Sequence, residues 1–150
     1  MKQYIGTKII KAEPAYRVDG KVFVKANIVP CGVHIEDGYK VVYPDGYESW
    51  SPKDVFEAAY RETSGMSFGL AIEAAKMGKK IARAGWNGKN QYVELGHDFS
   101  YTAPGDIPVR PVQHLDIGSQ ALVFVGTRGR QVGWLASQSD MLADDWKIVE

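Results

Sequence analysis

Between Lys79 and Glu150 the chain runs through five short strand patterns, "KKIARAGW", "QYVELG", "ALVFVGT", "QVGWLA" and "WKIVE", divided by glycine-bearing turns. Each mixes β-branched and aromatic residues as half-buried strands do. One helical pattern precedes them, "MSFGLAIEAAKMGKK". Ser67 is its N-cap candidate, Phe68, Ala71, Ile72, Ala75 and Met77 trace an apolar face, and Gly78 with two lysines closes it. Helix first and antiparallel strands afterwards make an α+β unit.

The first third reads as strands followed by a helix. "QYIGTKIIKA" and "KVFVKANIV" are strand candidates, and "GYKVVYPDGYESW" is a hairpin turning at Pro44-Asp45-Gly46. In "SPKDVFEAAYRE", Ser51 is placed to cap a helix, Pro52 suits the first helical position because it lacks an N–H, and Asp54 stands where a capping box wants a carboxylate. Val55, Ala58 or Ala59 and Glu62 follow at helical spacing, with Phe56 and Tyr60 on an adjoining stripe. "TSG" ends the pattern, with Gly65 as C-cap or linker. The chain therefore divides near Thr63 to Met66 into two small units, residues 1–65 and 66–150. Both are α+β, with short antiparallel strands and one main helix each.

Charge sets limits on partners. The chain has 18 Lys+Arg against 18 Asp+Glu, so its overall field attracts neither nucleic acid nor an anionic membrane. Any anion site has to be local. Residues 66–130 hold eight basic and five acidic side chains, whereas 131–150 hold one and four, so a basic middle faces an acidic tail. The longest apolar runs fall far short of the ~20 residues that span a bilayer, and the N-terminus lacks the apolar core of a signal peptide. A soluble, intracellular protein is expected. The single cysteine, Cys31, rules out an internal disulfide and a multi-cysteine zinc site, although Cys31-x-x-His34 has a metal-like spacing. From His97 to Ser119 runs a long segment with three of the seven prolines, read as an irregular loop.

Two stretches carry candidate chemistry. In "RAGWNGKN", Trp86 stands before Asn87-Gly88, the strongest two-residue hairpin signal. Trp86 would offer a flat face to a base or sugar, Asn87 donors and acceptors, and Arg83 a cation on the same side. Packing of Trp86 on the preceding helix fits the spacing as well. In "WLASQSDMLADDW", Ser137 and Asp140 have capping-box spacing, and Met141, Leu142 and Trp146 can pack inward. Asp144 and Asp145 oppose a helix dipole at the far end, so one or two turns are expected. Ser137, Gln138, Ser139 and Asp140 then gather hydroxyl, amide and carboxylate groups suited to ribose or base edges. Capping and recognition are both open.

Other constellations are weaker. Lys79, Lys80, Arg83, Lys89, Arg110, Arg128 and Arg130 form the basic middle, and Arg128-Gly129-Arg130 reads as a hairpin tip whose cations meet phosphates or are simply solvated. His34, His97 and His114 lie far apart, and His97-Asp98 and His114-x-Asp116 have no nucleophile fixed beside them. No phosphate-binding glycine motif follows a strand and opens a helix. No metal, cofactor or catalytic residue is assigned.

The second unit resembles the second type of the Thoeris anti-defence family of phage proteins. The resemblance lies in "SFGLAIEAAKMGKKIARAGWNGK" and "WLASQSDMLADDWKIVE", in that order and separated by strands, over somewhat more than half of the chain. It implies a small α+β protein that assembles as a homotetramer and acts as a sponge in the cytoplasm of the infected host. Such proteins bind glycocyclic ADP-ribose, the messenger of Thoeris immunity, without destroying it; some also hold cyclic oligonucleotides of CBASS immunity at a separate site. It further implies a pocket between subunits, with Trp86 stacking, the Ser137 to Asp140 turn as polar wall, and Phe68, Asn87, Gln138 and Asp140 in contact. "GYKVVYPDGYESWSPKDVFEAAYRET" resembles a different family of small phage proteins of unknown role, so the chain looks like a fusion.

Three functions are thus weighed. The first is a non-enzymatic sponge for a cyclic ADP-ribose-type nucleotide. The second is a phosphodiesterase or lyase that degrades it. The third is a protein-interaction or nucleic-acid module, with zero net charge arguing against nucleic acid.

Overall fold

A computed structural model of the chain describes residues 1–25, 34–109 and 120–150. The chain is α+β and forms two compact units, Met1–Arg61 and Glu62–Glu150. Among the described residues no helix is long and apolar enough to cross a membrane. Cys31, Arg110, His114 and Asp116 lie outside the described residues.

The first unit is an antiparallel sheet of order β2-β1-β3-β4, built from β1 (Lys11–Val18), β2 (Lys21–Val24), β3 (Ile35–Val42) and β4 (Glu48–Pro52). Its first strand begins later than the "QYIGTKIIKA" pattern suggests. β1 takes its register from β3, with Lys11 opposite Val42, and the chain beyond Val42 already enters a turn, so residues before Lys11 have no ladder to join. The expected turn at Pro44-Asp45-Gly46 is present. Gly46 has φ 85°, and Asp45 Oδ1 accepts a hydrogen bond from Tyr47 N at 3.0 Å.

The helix α1 (Lys53–Ala59) follows β4 directly and departs from the expected capping. Ser51 is still in the ladder opposite Tyr39, so Pro52 takes the N-cap position and no side chain caps the helix. Val55 is exposed and α1 buries no residue fully. What holds it is the adjoining stripe: Phe56 stacks on Tyr39 at 4.1 Å and on Tyr60 at 4.9 Å, and Tyr39 Oη donates to Glu57 Oε1.

The second unit carries the sheet order β10-β9-β6-β5-β11, all antiparallel. Its strands are β5 (Lys80–Arg83), β6 (Tyr92–His97), β9 (Gln120–Gly126), β10 (Gly129–Val132) and β11 (Trp146–Val149). Between β6 and β9, part of the expected irregular loop is a separate hairpin, β7 (Tyr101–Ala103) and β8 (Ile107–Val109), turning where Gly105 and Asp106 have positive φ. α2 (Phe68–Lys76) lies on one face of the sheet. Ser67 caps it as expected, accepting from Leu70 N at 3.5 Å, but its apolar stripe is turned slightly: Ala71, Ala74 and Ala75 are buried, whereas Met77 is the exposed C-cap.

Register explains the core. Ile148, Ile81, Val93 and Phe124 are successive partners across β11, β5, β6 and β9, so they share a face. Three small alanines bring α2 close over this row, and Met66 and Trp146 complete the cluster. Trp146 is fully buried, so its loss should cost about 3–5 kcal/mol. The edge strand β11 is itself covered: Trp146 pairs with Met66, and Ile148 N donates to Thr63 O at 2.9 Å.

Asn87-Gly88 does not form the expected two-residue hairpin. Residues 84–91 link β5 to β6, and the left-handed residue is Asn90, at φ 57°. The chain turns first at Ala84-Gly85, where Trp86 N donates to Arg83 O at 3.4 Å, lays Trp86 against other aromatics, and turns again at Lys89-Asn90, so neither reversal falls on the dipeptide.

Candidate functional site

Arg83 is the last residue of β5 and lies opposite Trp146, on the same sheet face as the core row. Three residues later Trp86 turns back over that end of the sheet. Its indole meets Trp146 at 5.4 Å, Phe124 at 5.5 Å and Trp134 at 5.9 Å, each in an edge-to-face arrangement. Such pairs add about 0.5–1.5 kcal/mol beyond their burial. Phe68, the first residue of α2, closes the group by packing on Trp146 at 5.4 Å.

The polar side is built on α3 (Gln138–Met141), a single turn with a complete capping box. Ser137 Oγ accepts from Asp140 N at 3.2 Å, while Asp140 Oδ2 accepts from Ser137 N at 3.2 Å and from Ser137 Oγ at 2.7 Å. Asp140 Oδ1 accepts from Arg83 Nη1 at 3.0 Å and from Trp86 Nε1 at 3.2 Å. A carboxylate has about four acceptor positions, and all four are engaged. Trp146 Nε1 donates to the Asp140 carbonyl at 2.8 Å, so the turn is pinned to the core as well. Met141 and Leu142, expected to pack inward, are exposed because the turn ends after one revolution.

Arg83 lies between two carboxylates. Its Nε donates to Asp145 Oδ1 at 2.8 Å, and Asp145 Oδ2 accepts from Gly85 N at 2.9 Å. The side chains of Arg83 and Asp140 are only 19% and 14% exposed, so this pair is less screened than a surface ion pair. Burial works against the charge on Asp140, but hydrogen bonds from Ser137, Arg83 and Trp86 outweigh it and hold the carboxyl below its ordinary pKa. The Arg83 hydrogen bond lowers Asp145 likewise, with help from Gly85 N. Asp145 and Asp140 in turn raise the Arg83 pKa and secure its charge.

Of the seven residues singled out in the sequence, Arg83, Trp86, Ser137 and Asp140 are joined by direct hydrogen bonds, and Phe68 is tied in through Trp146. Asn87 and Gln138 are exposed, and their amides make no hydrogen bond with the described residues. Arg83 Nη2 is also left without a hydrogen-bond partner among them. Sequence reasoning missed Asp145 and Phe124. Asp145 was visible only as one of two aspartates before Trp146, and its partner is 62 positions away.

The rest of the basic middle is dispersed. Lys80 lies over the Tyr92 ring at 5.0 Å, Arg130 pairs with Glu94 at 3.4 Å, and Arg128 is exposed in the β9–β10 turn. His34 and His97 are exposed, and no group of acidic, histidine or cysteine side chains among the described residues could hold a metal ion.

A family model, the Thoeris anti-defense 2-like domain, matches residues 66–149. The chain belongs to the Thoeris anti-defense 2-like family. It is similar to Thoeris anti-defense 2 of Bacillus phage SP01, with 37% identity over 91 residues that make up 56% of this chain and 94% of the relative. The Thoeris anti-defense 2-like span falls within the second unit and includes every residue of the aromatic and polar cluster. Membership places the chain among phage anti-Thoeris proteins.

Proposed function

We propose that the second unit binds a cyclic ADP-ribose-type messenger of Thoeris immunity and sequesters it without cleavage, in the cytoplasm of the infected bacterium. The observation that carries this proposal is the Trp86 indole, held by Asp140, with Asn87 next to it in the chain and Gln138 two positions before Asp140, both exposed and with amides that have no partner among the described residues. Trp86 supplies a stacking surface for adenine, a contact worth about 1–3 kcal/mol per base. Asn87, Gln138 and the Ser137–Asp140 turn meet the ribose hydroxyls and base edges. Phe68 extends the apolar wall, and Arg83 Nη2 is the nearest charged donor for a phosphate.

A sponge has to hold a scarce signal at about nanomolar affinity, roughly −12 kcal/mol. Enclosure between subunits is the route to such affinity. Val132, Leu135 and Leu142 are exposed apolar side chains of the same unit that a homotetramer would cover. Light scattering of the full chain should give four copies, and a monomer at micromolar concentration would contradict that assembly.

The decisive experiment incubates the protein with glycocyclic ADP-ribose, denatures it and chromatographs the released nucleotide. Intact recovery of a stoichiometric amount is expected. A converted product would overturn sequestration in favour of a phosphodiesterase or lyase, and failure to retain the nucleotide would overturn binding. A parallel titration with cyclic oligonucleotides tests the second ligand class of CBASS immunity.

A further inference from the structure

One carboxylate outside the seven candidate residues holds the chain that leads to the indole. Asp145 accepts from Arg83 Nε through Oδ1 and from Gly85 N through Oδ2, and its backbone carbonyl accepts from Ala84 N at 3.0 Å. These three bonds fall on the three residues immediately before Trp86. Gly85 fits the arrangement, because a Cβ there would approach Asp145 Oδ2 to 3.0 Å.

Arg83 transmits the constraint to the other side of the indole. The guanidinium that Asp145 holds through Nε is the one that donates through Nη1 to Asp140 Oδ1, the atom that also accepts the Trp86 indole N–H. Trp86 is thus fixed from its backbone side through Gly85 and from its ring side through Arg83 and Asp140. Asp145 contributes to both constraints, through Gly85 N on one side and the guanidinium on the other, while Ser137 holds Asp140 independently. Two carboxylates on one guanidinium give this group a net charge of one plus two negatives, −1, so Asp145 is more than a neutralising partner: Asp140 alone would balance Arg83.

We propose that Asp145 is a positioning residue of the nucleotide site, setting the orientation of Trp86 without touching the ligand; its consequence for affinity rests on the sequestration reading. An asparagine at 145 has one carbonyl oxygen where two are needed, so its amide N–H₂ faces either the guanidinium or the Gly85 N–H. A lysine at 83 keeps the charge but has a single nitrogen and cannot span both carboxylates in the geometry of a planar guanidinium.

The test uses the full chain, following the indole N–H signals of the four tryptophans by nuclear magnetic resonance, with that of Trp86 identified through Trp86→Phe. Glycocyclic ADP-ribose is the calorimetric probe. Asp145→Asn is expected to shift the Trp86 signal, leave that of Trp50 in place, and weaken binding about tenfold, the size expected for losing a charged hydrogen bond. Arg83→Lys should do the same, and the double variant should be no weaker than the weaker single one, because both interrupt one chain of contacts. A folded Asp145→Asn that leaves the Trp86 signal unmoved, or moves it with unchanged affinity, overturns the positioning role. If Asp145→Asn fails to fold, Arg83→Lys decides by the Trp86 signal alone, because its affinity also reports the phosphate contact of Nη2: an unmoved signal overturns the positioning role. A wild-type chain that does not bind the probe overturns the sequestration reading instead, and the Trp86 signal still decides whether Asp145 orients the indole.

Discussion

The two depressed carboxylates, Asp140 and Asp145, make the second unit acid-sensitive in a direction that follows from their environment. A carboxyl group with a native pKa below its unfolded value of about 4 contributes stability above that pH, and the contribution is lost as pH falls through the native value. Thermal melts should therefore change little between pH 7 and about 5 and decline below about 4. Asp145→Asn should flatten that decline; Glu36, held low by Arg17 in the first unit, is common to both proteins and drops out of the comparison. An equally steep decline in the variant would show that other groups set the acid limit. A second residue-scale prediction concerns Gly38, where a Cβ would run into the Ser51 carbonyl and lie 2.7 Å from the Trp50 ring. Gly38→Ala should destabilise the first unit by about 1–3 kcal/mol or more through overpacking, read by urea unfolding. Neither Gly38 nor Asp145 announced its role in the sequence, because each role depends on an atom contributed by another strand or turn.

At the scale of single elements, local chemistry was legible where both partners lie within four residues and no long-range contact competes for them. Ser67 caps α2, and Ser137 with Asp140 forms the box that starts α3, because a cap joins a side chain to a backbone N–H two or three positions on. Ser137→Ala should cost about 1 kcal/mol in unfolding free energy. It should also raise the Asp140 pKa toward its ordinary value, because Ser137 supplies hydrogen bonds that lower it; titration of the carboxyl by nuclear magnetic resonance checks the direction. The hairpin at Pro44-Asp45-Gly46 was legible for the same reason. Asp19-Gly20, not singled out in the sequence, joins β1 to β2 with two positive φ angles, 49° and 81°. Asn87-Gly88 failed as a hairpin because long-range contacts outweigh a local preference: Asp145 holds the backbone before it and the aromatic cluster takes Trp86. Ser51 likewise keeps its place in the ladder instead of capping α1.

At the scale of the whole molecule, the chain is two compact units, and the boundary has a measurable consequence. Residues 62–65 belong with the second unit, where Thr63 O receives the Ile148 N–H and Met66 pairs with Trp146. A fragment of residues 62–150 should melt higher than one of 66–150 and bind glycocyclic ADP-ribose as the full chain does. Equal melting temperatures would show that the edge of β11 gains nothing from those residues. The sequence by itself determined the α+β class, the caps of α2 and α3, one hairpin turn and the family, because caps, turns and periodicity operate over a few residues and the matching motifs are contiguous. Only the tertiary structure decided which carboxylates hold Arg83, which rings pack against Trp86, and that the acceptor positions of Asp140 are all engaged. Those facts arise where β5, α3 and the start of β11 meet, and hydrogen bonds between residues more than fifty positions apart leave no periodic or spacing signal along a single chain.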